Sequence, residues 1–515
     1  MRIIIIISFF LFFSIQNFSQ GVQQQWIGTY GYNGSAGDHI RTDISGNVYI
    51  VGGYSCMDCP YYTFIQKFNP SGSQIYGNTV DTPCAATNVY FDSLNNEYIA
   101  GSYSGFWGAS RFTVTKYSSI GVKLWRVSDS CGQNDAMIDI VGDLGGTSYV
   151  LKYKSGVYTI IKYSSSGIQL SYFNIMDTIT PARMCLDTQG NILVTGNGFL
   201  NPNNSFNIIT IKYSNSGIKQ WRSIYTPPGG QVSGVYPKIQ ALTTGNIYLI
   251  ATTANSSNST DYTVIKYNSS GVQQWITFYN RNQYDEIYSF KSDNLENVYV
   301  TGSSGTVKFN SSGSQLWADT NSSMRDIAID KNYNVYVTGS IYDSNTHVRT
   351  YKINASGSPA WTIRYGSGSI YSDYVSSITL DTAQNVFITG LGGFTPLPGY
   401  NGHAITIKYA QLVGIQKISE NIPTHFSLSQ NYPNPFNPTT NIKFDVTSNV
   451  KSETSNVKLI IFDILGREVS TLVNDKLQPG SYEIEWNGSN FASGVYFYKL
   501  TAGDFTETKK MLLVK

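Results

Sequence analysis

"IKYSNSGIKQW", residues 211–221, and "IKYNSSGVQQW", residues 265–275, are nearly the same text at two places in one chain. Each reads as two short strands folded about a turn that ends in glycine. Gly217 and Gly271 supply the positive φ that such a hairpin loop needs. Ahead of the second turn both faces of the strand are largely apolar, Thr263, Ile265 and Tyr267 on one side, Tyr262 and Val264 on the other. A strand patterned this way is covered on two sides, so neighbouring sheets must sandwich it.

The stretch belongs to a longer repeat. Lys plus an aromatic, then a turn closed by glycine, recurs from Lys67-Phe68 through Lys116-Tyr117, Lys162-Tyr163, Lys212-Tyr213, Lys266-Tyr267 and Lys308-Phe309, with Lys352-Ile353 as a variant. Trp125, Trp221, Trp275, Trp317 and Trp361 stand four residues after their turn glycines. A second element is Asp, three residues, Asn and an alternating apolar run, as in Asp43 to Asn47 before "VYIVGG" and Asp381 to Asn385 before "VFITG". It starts at Asp43, Asp92, Asp143, Asp187, Leu242, Asp293, Asp330 and Asp381, about 48 residues apart, with Asp lost only at Leu242 and Asn only at Thr147. Each unit offers four strands, the content of a propeller blade.

The eighth unit lacks its last strand. Lys408-Tyr409 runs into "AQLVGIQ", with neither the turn nor the Trp, while "SQGVQQQWIGTY" at residues 19–30 nearly copies "SSGVQQWITFY" at 269–279. The first mature strand is therefore expected to complete the last sheet and leave no exposed sheet edge at the seam. The expected fold is all-β: an eight-bladed β-propeller of four-stranded blades over residues 20–410. A seven-bladed ring is the alternative, because the sixth unit is short between Thr301 and Thr306. The repeat resembles the SBBP family over about residues 21–410, through its similarity to the pattern D..GNVYVTG......KY...G...W. That resemblance implies a propeller and an extracellular location, and no reaction.

Residues 1–19, with Arg2 ahead of an apolar run from Ile3 to about Ile15, read as a secretory signal peptide, too short for a membrane anchor. At the other end the period stops. Residues 411–430 read as a linker, and residues 431–515 as a small Ig-like β-sandwich of six or seven short strands. "NYPNPFNPTT", "IFDILGREV", "PGSYEIEW", "SGVYFYKL" and "KKMLLVK" make this segment similar to the type A sorting domain of the type IX secretion system. The resemblance implies export by that machinery, followed by attachment to the cell surface or release. Gly466, Gly480, Gly494, Tyr496 and Lys509 carry over as recognition or fold positions.

Composition narrows the partners. Charged residues are 13% of the chain and aromatics 14%, and 35 basic residues balance 33 acidic ones, scattered along the text. No basic patch for nucleic acid is visible, and no transmembrane anchor. Four histidines, His39, His347, His403 and His425, show no metal-ligand spacing, so neither metal nor cofactor is expected. "DKNYN" at 330–334 lacks the glycine and glutamate of a calcium loop, and "GLGG" at 390–393 is a loop. Asp135, Asp285 and Asp373 each precede the turn position by eight residues; they are expected to cap backbone amides, the alternative being a ring of channel carboxylates.

In an up-and-down blade the Asp-Asn and Ser-Gly turns share one rim, and the long, variable connections share the other. Cys56, Cys59, Cys84 and Cys131 fall in those connections, where an oxidising environment favours disulfides over free thiols or a zinc site; Cys185 is expected to be a buried thiol. The same rim gathers Tyr61, Tyr62, Phe106, Trp107, Tyr284, Tyr371, Tyr374 and Tyr400. The function expected is non-catalytic binding of an extracellular protein or glycan there. The alternatives are a polysaccharide-acting enzyme, with Asp285 and Glu286 as candidate carboxylates, and a structural surface-layer component.

Overall fold

In the computed structural model the alternating apolar stretches fold into ten four-stranded antiparallel sheets. The structure describes residues 22–514 except 31–33, 57–58, 81–84, 104–109, 133–134, 201–204, 229–236, 256, 258, 282–283, 321–322, 343–345, 368–371, 395–400, 412–415, 420–421, 448–454 and 489–490. The expected signal peptide lies outside the described residues. Seven sheets are built from four consecutive strands, here a to d, over residues 35–79, 85–131, 136–175, 180–225, 238–279, 287–319 and 326–365. The sixth unit keeps all four strands in spite of its shortness, because Gly302 pairs with Gly305 to close its b–c hairpin.

The eighth sheet takes Ser372–Leu380, Val386–Phe394 and Asn401–Gln411 as strands a to c, and the N-terminal strand Val22–Tyr30 as strand d. The sheets are neighbours in space in the order of the sequence. Strand a of each lies against the preceding sheet, and strand a of the first, Ser35–Thr42, lies against strands a and b of the eighth. The arrangement is β-propeller-like. Apolar clusters span sheet pairs, as where Leu151 and Ile160 of the third sheet pack with Met184, Val194 and Ile211 of the fourth.

The two recurring turns hold this arrangement together. At Asp92 the carboxylate accepts the amides of Leu94 and Asn96 at 3.0 and 2.9 Å, the Asn96 side chain at 2.7 Å and the Tyr98 hydroxyl at 3.1 Å. Lys116 reaches the same carboxylate at 3.4 Å, with its ammonium over the Tyr98 ring. Where Asp is lost at Leu242, the neighbouring sheet supplies the charge instead. Glu296 accepts from the Asn246 side chain at 3.1 Å and from Lys266 at 2.5 Å.

The Ser-Gly turn of each sheet is gripped by the sheet before it. Lys116 and Trp125 of the second sheet both donate to the Ser165 carbonyl in the turn of the third, at 3.1 and 2.9 Å. Lys266 and Trp275 do the same to Ser311, at 3.1 and 2.9 Å. At the seam, Lys408 and Trp26 converge on the Pro70 carbonyl at 2.8 and 3.2 Å, so the N-terminal strand's tryptophan fills the repeat position. The glycine that closes the turn lies against the gripping ring. A Cβ on Gly271, at φ +77°, would stand 2.5 Å from the Trp221 ring. Trp361 of the seventh sheet faces a unit without such a turn, and its buried indole N–H has no hydrogen-bond partner among the described residues.

A second compact unit begins at Ala410. Its two sheets have strand orders 416–419, 480–487, 439–446, 427–428 and 468–477, 455–462, 494–502, 505–513, around a core that includes Phe444, Leu459, Trp486 and Tyr498. Strands Gln416–Ser419 and Ser427–Leu428, within the stretch expected as a linker, pair within this unit. Gly466 closes the turn begun by Asp463 at φ +76°; Gly480 and Gly494 each open a strand. Tyr496 packs edge-on against Trp486 and donates to the Ala492 carbonyl at 2.8 Å. Lys509 pairs with Glu507 at 2.9 Å.

Two stability measurements check this account. Gly271→Ala forces both a left-handed residue and a clash with the Trp221 ring, and is expected to cost about 2–4 kcal/mol in denaturant unfolding; the cost should shrink by half or more in a Trp221→Ala background. Glu97 is fully buried, takes a hydrogen bond from Tyr76 of the preceding sheet, and is pushed up to about 8 by its burial, with Tyr76 and Lys67 opposing. A raised folded pKa gives stability that is complete below the ordinary glutamate value and is lost as pH rises towards 8. The unfolding midpoint should therefore fall between about pH 4.5 and pH 8 in the wild type and stay level there in Glu97→Gln, which removes the titration.

Candidate functional site

Strand a of each sheet carries a β-bulge or begins abruptly, always at the same place. Register shifts fall between Gly37 and His39, Ala86 and Asn88, Met137 and Asp139, Pro181 and Arg183, Ile287 and Ser289, and Val375 and Ser377. In the fifth and seventh sheets the strand starts at the equivalent residue, Lys238 or Asp326. This position lies four residues ahead of the turn Asp, or of Leu242 in the fifth sheet, and a bulge there re-aims its side chain. The series reads His39, Asn88, Asp139, Arg183, Lys238, Ser289, Asp326, Ser377: every member is polar, on strands whose other positions are largely apolar.

These strands enclose a cavity of about 1160 Å³, lined by His39, Arg183, Lys238, Ser289, Asp326 and Ser377 of the series together with their neighbours. Two carboxylates of the series tie sheets together. Asp139 accepts from the Asn88 side chain of the second sheet at 2.6 Å and from the Met184 amide of the fourth at 2.7 Å. Asp326 accepts from Ser289 of the sixth sheet at 2.7 Å, and from the Ser377 hydroxyl and Ile378 amide of the eighth at 2.8 and 2.9 Å. Burial raises the Asp139 pKa, opposed mainly by Arg183. Burial also lowers that of His39, with Asp326 acting the other way.

Charge is unevenly placed in the cavity. Arg41, Arg183, Lys238, Lys291 and Arg325 line it against the carboxylates Asp38, Glu286 and Asp326. Arg41 stacks over Phe91 at 4.6 Å and Arg325 over Tyr288 at 5.4 Å. Lys238 is pushed down to about 8 by its burial and by Arg183, Arg325 and Lys291, Asp326 opposing. Reading the chain linearly misses this cluster because its members lie far apart in the text. The signal is the periodic polar residue four positions before each turn.

The sequence-derived candidates separate into several groups. Asp135, Asp285 and Asp373 do cap amides. Asp373 accepts from the amides of Ser367 and Gly393, both at 2.8 Å, Asp285 from that of Arg281 at 2.7 Å, and Asp135 from those of Gly132 and Ser155 at 2.6 and 2.8 Å. Each thus pins the loop before strand a and also reaches the b–c hairpin, Asp285 through the Ser304 hydroxyl. Asp285 is buried whereas Glu286 lines the cavity, so the two adjacent carboxylates do not converge.

Of the rim aromatics, Tyr284 and Tyr374 are 64% and 41% exposed, and Tyr342, not anticipated from sequence, is 80% exposed. Tyr62 instead stacks on Tyr54 at 5.3 Å as part of the core. Phe106, Trp107, Tyr371, Tyr400 and Cys84 lie outside the described residues, as do the side chains of Tyr61, Cys56 and Cys59; the backbone register sets Cys56 opposite Cys59. Cys131, the remaining disulfide candidate, is described. Its thiol is free, it sits opposite Ser110 on the neighbouring strand, and it packs against the apolar cluster around Phe112. Cys185 is a free thiol too, packed beside Leu193. Among the described residues no three His, Cys, Asp or Glu side chains gather as a metal site, and no helix is long and apolar enough to cross a membrane.

Comparison with known proteins bears on the two units unequally. The chain has similarity to the β-propeller domain of the Trilobed protease from Pyrococcus furiosus, at 12% identity over 66% of this chain and 97% of that one, TM-score 0.37. It is similar to a streptogramin B lyase at 11% identity over 75% and 96%, TM-score 0.37, and to a eukaryotic initiation factor at 8% identity over 87% and 90%, TM-score 0.43. No curated protein matches the chain. Residues 430–515 match the family model described as secretion system C-terminal sorting domain. Such a domain directs export by the type IX machinery, and the protein that carries it here is secreted or attached to the cell surface.

Proposed function

We propose that the eight sheets are the blades of one eight-bladed propeller built from SBBP repeats and followed by an Ig-like sandwich. On this reading the propeller binds an extracellular protein or glycan through its variable rim and catalyses no reaction. The observation that carries the reading is the exposure of Tyr284, Tyr342 and Tyr374 on three successive sheets, all at the edge where strand a begins and strand b ends. Large aromatics left in water on one edge of a rigid scaffold favour contact with a partner, since tyrosine offers stacking area at small entropic cost.

The opposite edge supports the same division of labour. Its Asp-Asn and Ser-Gly turns are occupied by the ion pairs, tryptophan contacts and carbonyl hydrogen bonds that join sheet to sheet. Sequence change there loosens the ring, whereas change on the tyrosine edge is tolerated. An array of glycans and envelope proteins probed with the mature chain is expected to yield a ligand that is recovered unaltered. Its affinity should drop about tenfold or more in a Tyr284→Ala, Tyr342→Ala, Tyr374→Ala variant of unchanged melting temperature. Unchanged affinity in that variant, or turnover of the bound ligand, contradicts the proposal.

A further inference from the structure

The cavity among the a strands is lined by five cationic side chains, Arg41, Arg183, Lys238, Lys291 and Arg325, against three carboxylates, Asp38, Glu286 and Asp326; Lys238 and Arg183 are half-buried, and Lys291 and Arg325 are exposed. The side chains of Lys238 and Lys291 make no hydrogen bond or ion pair with a described residue. Arg183 spends one hydrogen bond on the Ala182 carbonyl at 2.9 Å, and Arg325 lies over Tyr288. The carboxylate best placed to neutralise them, Asp326, already accepts from Ser289, Ser377 and the Ile378 amide, and Asp139 is held by Asn88, Met184 and Ile140. The two carboxylates of the series therefore act on sheets two to four and six to eight. Lys238, in the fifth sheet, is left facing the cavity.

A half-buried ammonium without a counter-charge favours an anion beside it. A cleft lined by excess charge of one sign also concentrates ions of the other. The volume of about 1160 Å³ suits a ligand of several rings, at the upper end of small-molecule sites. The rest of the lining suits a polyol, with the hydroxyls of Thr87, Ser292, Ser376 and Thr379.

We propose that this cavity binds an acidic saccharide, its carboxylate or sulfate held by Lys238 with Arg183 and Arg325, and its hydroxyls meeting the serine and threonine side chains. The site is separate from the tyrosine edge, so it stands or falls independently of the rim reading. Calorimetric titration of the mature chain with trigalacturonate, a sulfated trisaccharide, a neutral trisaccharide, inorganic sulfate and a glutamate-rich peptide tests it, with Lys238→Met, Lys238→Arg and Tyr284→Ala as variants. Lys238→Met removes the half-buried charge while keeping most of the side chain's length, and should melt no lower than the wild type.

The expected result is binding of one or both acidic trisaccharides, which tells carboxylate from sulfate, and at least tenfold weaker binding of the neutral one. Lys238→Met should weaken the acidic ligand about tenfold or more, Lys238→Arg should largely retain it, and Tyr284→Ala should leave it unchanged. Affinity should also fall as pH rises through about 8, where Lys238 loses its proton among Arg183, Arg325, Lys291, His39 and Asp326. Equal binding of neutral and acidic saccharides, no saccharide binding with or without bound inorganic sulfate, tighter binding of the peptide, or an unaffected Lys238→Met variant would overturn the proposal.

Discussion

The rest of the repeat array depends on one contact, made at seven of its eight sheet junctions, an aromatic ring of one sheet laid over the turn glycine of the next. A Cβ at Gly72, Gly167, Gly271, Gly313 or Gly357 would stand within 2.8 Å of the tryptophan ring of the preceding sheet, and at Gly121 or Gly217 within 2.7 Å of Tyr76 or Phe173. Only glycine both adopts the turn and leaves that space. The ring's indole N–H and the adjoining lysine then satisfy a carbonyl of the same turn, as at Ser165. The contact therefore joins neighbours rather than stabilising a sheet internally, which makes the stacking cooperative.

Exceptions to the pattern show that the contact is a constraint rather than a habit of sequence. Tyr76 stands where tryptophan is usual, and the position behind it in the next sheet, apolar in most units, is Glu97, which takes the phenolic hydrogen bond. Leu242 loses the turn carboxylate, and Glu296 of the next sheet replaces it. In both places a change in one sheet is matched in its neighbour, as expected where the interface carries the stability. With one edge committed in this way, variation is left to the opposite edge and to the cavity.

Much of this was legible from the text alone. The turn glycines, the Lys-aromatic pairs and the copy of a fourth strand at residues 22–30 are local patterns, and they pointed to four-stranded sheets and to the closing strand. The capping role of Asp285 and Asp373 followed from the preference of short carboxylates for nearby amides. The cavity did not follow, since Arg183, Lys238 and Arg325 are far apart in sequence and a count of scattered charges showed near-neutrality. Three-dimensional convergence was hidden in a periodic position that bulges re-aim. Nor does rim membership say whether a side chain turns outward or, as Cys131 does, towards the apolar cluster that contains Phe112.

The claim on which most hangs is that residues 22–30 form the last strand of the sheet ended by Asn401–Gln411. Hydrogen exchange at the amides of 404–409 tests it, in the mature chain and in a chain lacking residues 22–30, with and without that segment added as a free peptide. The account predicts protected amides in the mature chain, faster exchange on deletion, and protection regained with the peptide. Exchange that is unchanged by deletion would contradict it.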